Sequence, residues 1–287
     1  MFDFHLQQSK MQDFCASMVR IISLFFSLLL CASAAAQGYD KILKSYFVEK
    51  NIETPDHQVI LRTFTAKQSS SRSGLVYVFV ETNCGTCGTN VRQINKFGGS
   101  YEIYRDMAPA GAAVVANGGF YGYDHTGKQI ALGLVVQDGQ AQNPRIGWTS
   151  GGFLIRTKDG KTHIKTARSY SLQTNDNSVI QSKPLLVEAG KNGIRSDTGE
   201  RFNRTAIALS STGKLVVAGA FDGFGRAVSL HEFARFLLTI KSSDGSSINL
   251  AIAMDGGPGA QIYIPSLKQN FGDPGKNYVP NIISIEK

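Results

Sequence analysis

Three short segments constrain the fold of this chain more than anything else in it. "LGLVVQDGQ" turns at Asp138-Gly139, "GFLIRTKDGKTHIKT" at Asp159-Gly160, and "TAIALSSTGKLVVAG" near Thr212-Gly213. Each places apolar runs on both sides of a turn pair suited to positive φ, the local signature of a β-hairpin. A chain built from such units pairs neighbouring strands antiparallel and needs no crossover helices. Further strands are expected at "QVILRTF" (58–64), at "GLVYVFV" (74–80), in the buried "GAAVVANGG" and in "SINLAIAMD".

Helical signals are few. In "VSLHEFARFLLTI", Leu230, Phe233, Ala234, Leu237 and Leu238 fall on one helical face. Ser229 and Glu232 carry the spacing of a capping box at its start. "YEIYRDMA" is expected to form a short helix, and "GTNVRQINKFGG" another, after the pair Cys84-Gly-Thr-Cys87. No internal repeat or linker interrupts the chain. The reading is a single α+β domain over residues 37–287, β-rich and mainly antiparallel, with a few helices.

Glycines then concentrate where chemistry would sit. "NGGFYG" (117–122), "GAFDGFG" (219–225) and "MDGGPG" (254–259) each set an Asn or Asp beside glycines at the end of an apolar run. Glycine lets backbone approach a ligand closely. One such end is an ordinary tight turn; three suggest that glycine-rich strand ends line one cleft. A carboxylate at the end of a buried strand is costly unless it is paired or used. Asp255 is therefore the leading catalytic candidate, with Asp222 and Glu232 as further carboxylates, although capping also explains Glu232. Arg204, opening the strand "RTAIAL", can hold phosphate by two parallel hydrogen bonds. A structural ion pair with Asp255 is its other reading, and Arg201 shares the phosphate-binding idea.

Other chemistries lack their residues. There is no H-x-x-x-H, no H-E-x-x-H and no third thiol beside the Cys-x-x-Cys pair, so no metal or cofactor is expected. "GGPGAQ" lacks the Lys-Ser/Thr of a P-loop, and no G-x-S-x-G marks a serine nucleophile.

The N-terminal region reads as an address. "IISLFFSLLLCASAAA" (21–36) follows Arg20 and ends in small residues, the layout of a secretory signal peptide cut after Ala36. Met18 makes the more compact start. No membrane anchor is expected to remain after cleavage, and the protein is expected in the periplasm or outside the cell. Cys15 and Cys31 lie in this leader, which leaves Cys84 and Cys87 to form a disulfide in an oxidising compartment. The chain carries a net charge of +8; the leader holds two basic and two acidic side chains, so its removal changes nothing. A basic surface suits polyanions, but no run of consecutive Lys or Arg points to nucleic acid. The oligomeric state is not legible.

Taken in order and spacing, "VVANGGFYGYD…ALGLVVQDGQ", "IQSKPLLVEAGK", "NRTAIALSSTGKLVV", "VSLHEFARFLL" and "LAIAMDGGPGAQIYI" resemble the bacterial branch of the phosphodiester glycosidase family over roughly residues 110–265. That family releases a sugar from a sugar-1-phosphodiester. The resemblance implies a carbohydrate phosphodiester substrate and a hydrolase in which Asp255 supplies the carboxylate. Asp222 or Glu232 would be a second carboxylate, and Arg204 would hold phosphate. Asn117, Gly118, Gly119, Gly256 and Gly257 would hold the substrate. After Asp-Gly-Gly the chain continues with Pro258, Gly259 and Ala260, where animal members carry Gly-Ser-Ser, so any serine contact is missing. The competing readings are an exopolysaccharide-binding or assembly protein without turnover and a thiol–disulfide protein using Cys84 and Cys87.

Overall fold

The computed structural model describes residues 45–56, 58–83 and 87–286. The leader, the Met18 start and Cys84 lie outside these residues. All strand pairings among the described residues are antiparallel. One eight-stranded sheet runs Phe47–Glu53, Val59–Ala66, Val76–Thr82, Leu215–Phe221, Arg204–Ser210, Ile248–Ala253, Leu185–Glu188 and Lys191–Asn192 in spatial order. A five-stranded sheet runs Thr162–Thr166, Gly152–Thr157, Asp176–Ser182, Val135–Gln137 and Gln140–Asn143. A second five-stranded sheet runs Gln269–Gly272, Gln261–Ile264, Val114–Asn117, Lys276–Glu286 and Gly88–Gly99. A small hairpin joins Tyr121–Tyr123 to Gln129–Ala131.

The hairpin signals act as expected. Gln137 pairs with Gln140 across Asp138 (φ 51°) and Gly139 (φ 75°), a two-residue turn with both residues left-handed. Arg204–Ser210 pairs with Leu215–Phe221 across a turn that ends on Gly213. Leu215–Phe221 is buried along its whole length, and no polar face alternates with the apolar one. Its sheet is covered on both sides, which removes the need for a solvated face.

One core joins all three sheets. Leu61, Val78 and Val80 of the first meet Leu154 and Ile180 of the second and Ile262, Ile283 and Ile285 of the third. The helix Leu230–Thr239 closes the eight-stranded sheet. Phe236 stacks on Tyr77 at 4.0 Å and meets Phe64 edge-on at 5.5 Å. Its capping box is present: Ser229 Oγ accepts the Glu232 N–H, and Glu232 accepts the Ser229 N–H. The described residues from Tyr46 onward form one unit.

One expected helix is absent. Gly88–Gly99 is a twelve-residue strand paired with Lys276–Glu286. Its Thr89, Val91, Ile94 and Phe97 suit a pleated edge, and the strand Lys276–Glu286 supplies a partner that local propensity does not reveal. A strand in this position also removes the thioredoxin-like strand–CxxC–helix arrangement. Ser100–Asp106 is the short helix expected over "YEIYRDMA".

Candidate active site

Asp255 stands just beyond Ile248–Ala253, where the eight-stranded sheet meets the Val114–Asn117 strand of its neighbour. The junction is held by backbone. Asp255 N–H donates to the Gly118 carbonyl at 3.1 Å, and Met254 N–H to the Thr205 carbonyl at 3.0 Å. Asn117 fastens it. Its Nδ2 donates to the Asp255 carbonyl at 2.8 Å, while its Oδ1 accepts Thr205 Oγ1 at 2.6 Å and Gln261 N–H at 3.1 Å. Asn117 is 3% exposed. Its amide is spent inside the protein and so positions Asp255, where the sequence suggested contact with a sugar.

The neighbouring glycines have steric reasons. A Cβ on Gly118 would lie 1.9 Å from Asn281 Oδ1, which accepts the Gly119 N–H at 2.8 Å. Gly256 lies so close to Arg204 that a Cβ would sit 3.2 Å from Nη1. Gly257 adopts φ +68°, and its N–H donates to the Asn203 carbonyl at 2.9 Å.

The Asp255 carboxyl is half-buried. Its Oδ1 accepts the Gly256 N–H at 3.0 Å. Burial pushes its pKa up to about 7, against the opposing pull of the Gly256 N–H and the Arg204 guanidinium. Arg204 is itself partly buried, which lowers its pKa, while Glu200 and Asp255 act in the other direction. Its Nε and Nη2 reach the Val228 and Glu200 carbonyls at 3.4 and 3.3 Å, and its plane lies over the Phe202 ring at 5.1 Å. Among the described residues it forms no salt bridge, so the structural pair with Asp255 is not made. The site therefore offers a cation without a close ion pair among the described residues, beside a carboxyl whose pKa burial brings up to about 7.

The other two carboxylates are engaged elsewhere. Asp222 Oδ1 accepts the N–H groups of Phe224 and Arg226 at 3.0 and 2.8 Å, closing its own turn. Glu232 binds Arg201 with both oxygens at 2.7 and 2.8 Å and Arg72 at 2.6 Å. Burial would raise its pKa, but the Ser229 N–H, Arg72 and Arg201 outweigh that and hold it below the usual range. Both groups thus hold structure, and Arg201 is engaged on Glu232, which it shares with Arg72.

A family model for phosphodiester glycosidases matches residues 110–286. The chain belongs to the phosphodiester glycosidase family. Among solved structures, the catalytic domain of zebrafish N-acetylglucosamine-1-phosphodiester α-N-acetylglucosaminidase, auto-inhibited by its pro-peptide, superposes with a TM-score of 0.57. The identity is 15%, covering 84% of this chain and 88% of that one. A hypothetical protein from Synechocystis gives a TM-score of 0.55 at 15% identity, covering 83% and 63%. At these identities the likeness is one of fold. No curated protein sequence matches the chain.

Within this glycosidase domain several site residues escaped the sequence reading. Tyr104 is fully buried and donates to the Gly259 carbonyl at 3.0 Å, supporting the turn after Asp255. Burial, and secondarily the Asp255 charge, push its phenol well above the usual range. Tyr121 is raised by the same two causes in the same order. Asn203 ties three segments: its carbonyl takes Gly257, its N–H reaches the Gly225 carbonyl at 3.1 Å, and its Oδ1 accepts the Asp222 N–H at 3.0 Å. Asn203 and Asn281 stand in apolar surroundings in "FNRTAIAL" and "VPNIISI", and a lone amide in a buried strand was the available signal.

Proposed function

We propose that this phosphodiester glycosidase is an exported hydrolase of sugar-1-phosphodiesters in envelope or extracellular glycans. The observation that carries the reading is Asp255: a carboxyl half-buried at a braced sheet junction, beside an arginine that forms no ion pair among the described residues. In the reaction the bond between the sugar C1 and the phosphate oxygen breaks. Water supplies the new C1–oxygen bond and its proton, and a phosphomonoester leaves. A carboxylate with a pKa near 7 is matched to taking that proton at neutral pH. In this reading Arg204 takes the negative phosphate, whose ready departure reduces the need for a second carboxyl acid.

Turnover of a sugar-1-phosphodiester by the purified protein tests this. Asp255→Asn is nearly isosteric and should lower kcat by about 10²–10⁴-fold, the scale of acid–base catalysis. Equal turnover by the variant would remove Asp255 from the chemistry. Arg204→Lys keeps the charge and loses the planar fork, so KM for phosphodiesters should rise while Tm changes little. N-terminal sequencing of the exported form checks the cut after Ala36, and thiol titration of denatured, unreduced protein checks the Cys84–Cys87 bridge.

One observation favours a second reading, glycan binding without turnover: Asp222 and Glu232 are both committed to structure. Sugar phosphodiester binding by calorimetry with no release of phosphomonoester would establish it.

A further inference from the structure

Beside the Asp255 turn lies a cavity of about 580 Å³ lined by Phe202, Phe224, Arg226, Pro258 and Asp273, among others. Pro258 belongs to the turn that follows Asp255, and Phe202 carries Arg204 on its ring, so the cavity borders the candidate site. Phe224 is 89% exposed, far more than a large apolar side chain needs to be. Its backbone is also held in place. Asp222 Oδ1 takes the Phe224 and Arg226 N–H groups, Gly225 turns at φ +72°, and the Gly225 carbonyl accepts the Asn203 N–H. Asn203 grips the Asp255 turn through Gly257 as well. One residue thus ties the backbone of the Asp255 turn to that of the Phe224 loop. Phe202 supplies a second ring and has Arg204 stacked on it.

We propose that this cavity is the subsite for the leaving group, and that Phe224 determines its specificity by stacking on a pyranose ring. The proposal rests on the sugar-1-phosphodiester reading of Asp255 and Arg204. A phosphate at Arg204 directs whatever it carries along the Phe202 ring into the cavity. The lining selects a sugar. A pyranose has an apolar C–H face for the rings and a hydroxyl edge for Arg226, which forms no ion pair among the described residues, and for the Asp273 carboxylate. An alkyl chain would cover those two charged groups without offering them a hydrogen bond, at a desolvation cost.

The experiment compares two esters of one sugar-1-phosphate, with methanol or with a second hexose as the leaving alcohol, on wild type, Phe224→Ala and Phe224→Tyr. Stacking of this kind is worth about tenfold. Phe224→Ala should lower kcat/KM for the hexosyl ester about tenfold more than for the methyl ester, and Phe224→Tyr should restore the difference. Equal effects on both esters, or none, would overturn the subsite while leaving the hydrolase reading intact. A prenyl ester losing more than the hexosyl ester would overturn the choice of a sugar. If wild type cleaves neither ester, the hydrolase reading fails, and calorimetry with the hexosyl ester then decides the subsite. Binding weakened about tenfold by Phe224→Ala supports it, and unchanged or undetectable binding ends it.

Discussion

Asp255 is stored at a cost. Its pKa of about 7 in the folded protein lies far above the 3.8 of an exposed aspartate. The folded state therefore holds a proton that the unfolded chain releases, and stability falls as pH rises from about 4 to about 7. The penalty above pH 7 is on the order of 4 kcal/mol. Asp255→Asn should remove it, raising Tm at pH 8 and flattening the pH dependence of Tm even as turnover collapses. Thermal melts of both proteins from pH 4 to 8 measure this; a variant less stable than wild type at pH 8 would mean that the carboxylate stabilises the fold. Gly118 shows the opposite kind of constraint. Gly118→Ala must displace Asn281, itself fully buried and bonded to Gly119. A loss of about 2–3 kcal/mol in denaturant unfolding is expected. The importance of these two positions was legible in the sequence, because an acid after an apolar run and a glycine pair after a strand are both anomalies. Asn117 was legible as important and misread in role, since no local pattern tells whether an amide faces a ligand or a neighbouring strand.

At the scale of elements, local chemistry was readable and long-range pairing was not. The capping box of the Leu230–Thr239 helix follows from Ser229 and Glu232 alone. The arginines that meet Glu232 come from residues 72 and 201, distances in sequence that periodicity cannot bridge. Glu232→Gln keeps an acceptor for the Ser229 N–H but gives up charge towards both arginines. It should cost about 1–2 kcal/mol with kcat unchanged for each folded molecule, read from paired melts and turnover. A selective loss of kcat would return Glu232 to the chemistry. The strand Gly88–Gly99 was unreadable for the same reason. Its partner lies nearly two hundred residues away, and a polar twelve-residue run looks neutral until Lys276–Glu286 pairs with it.

The whole molecule depends on that last strand. Lys276–Glu286 lies between Val114–Asn117 and Gly88–Gly99, and it carries Asn281, whose carbonyl and Oδ1 hold Gly118 and Gly119. Removing residues 276–286 should abolish the cooperative unfolding transition, and far-UV circular dichroism with thermal melting would show it; a truncated chain that still melted cooperatively would mean that the other sheets fold alone. The timing of folding follows. As the chain leaves the ribosome, two strands of this sheet wait for a third made long after them, and contacts of such long sequence separation form slowly. Until that strand arrives Gly88–Gly99 has no neighbour in its sheet, and its backbone N–H and C=O groups are a template open to any other extended segment.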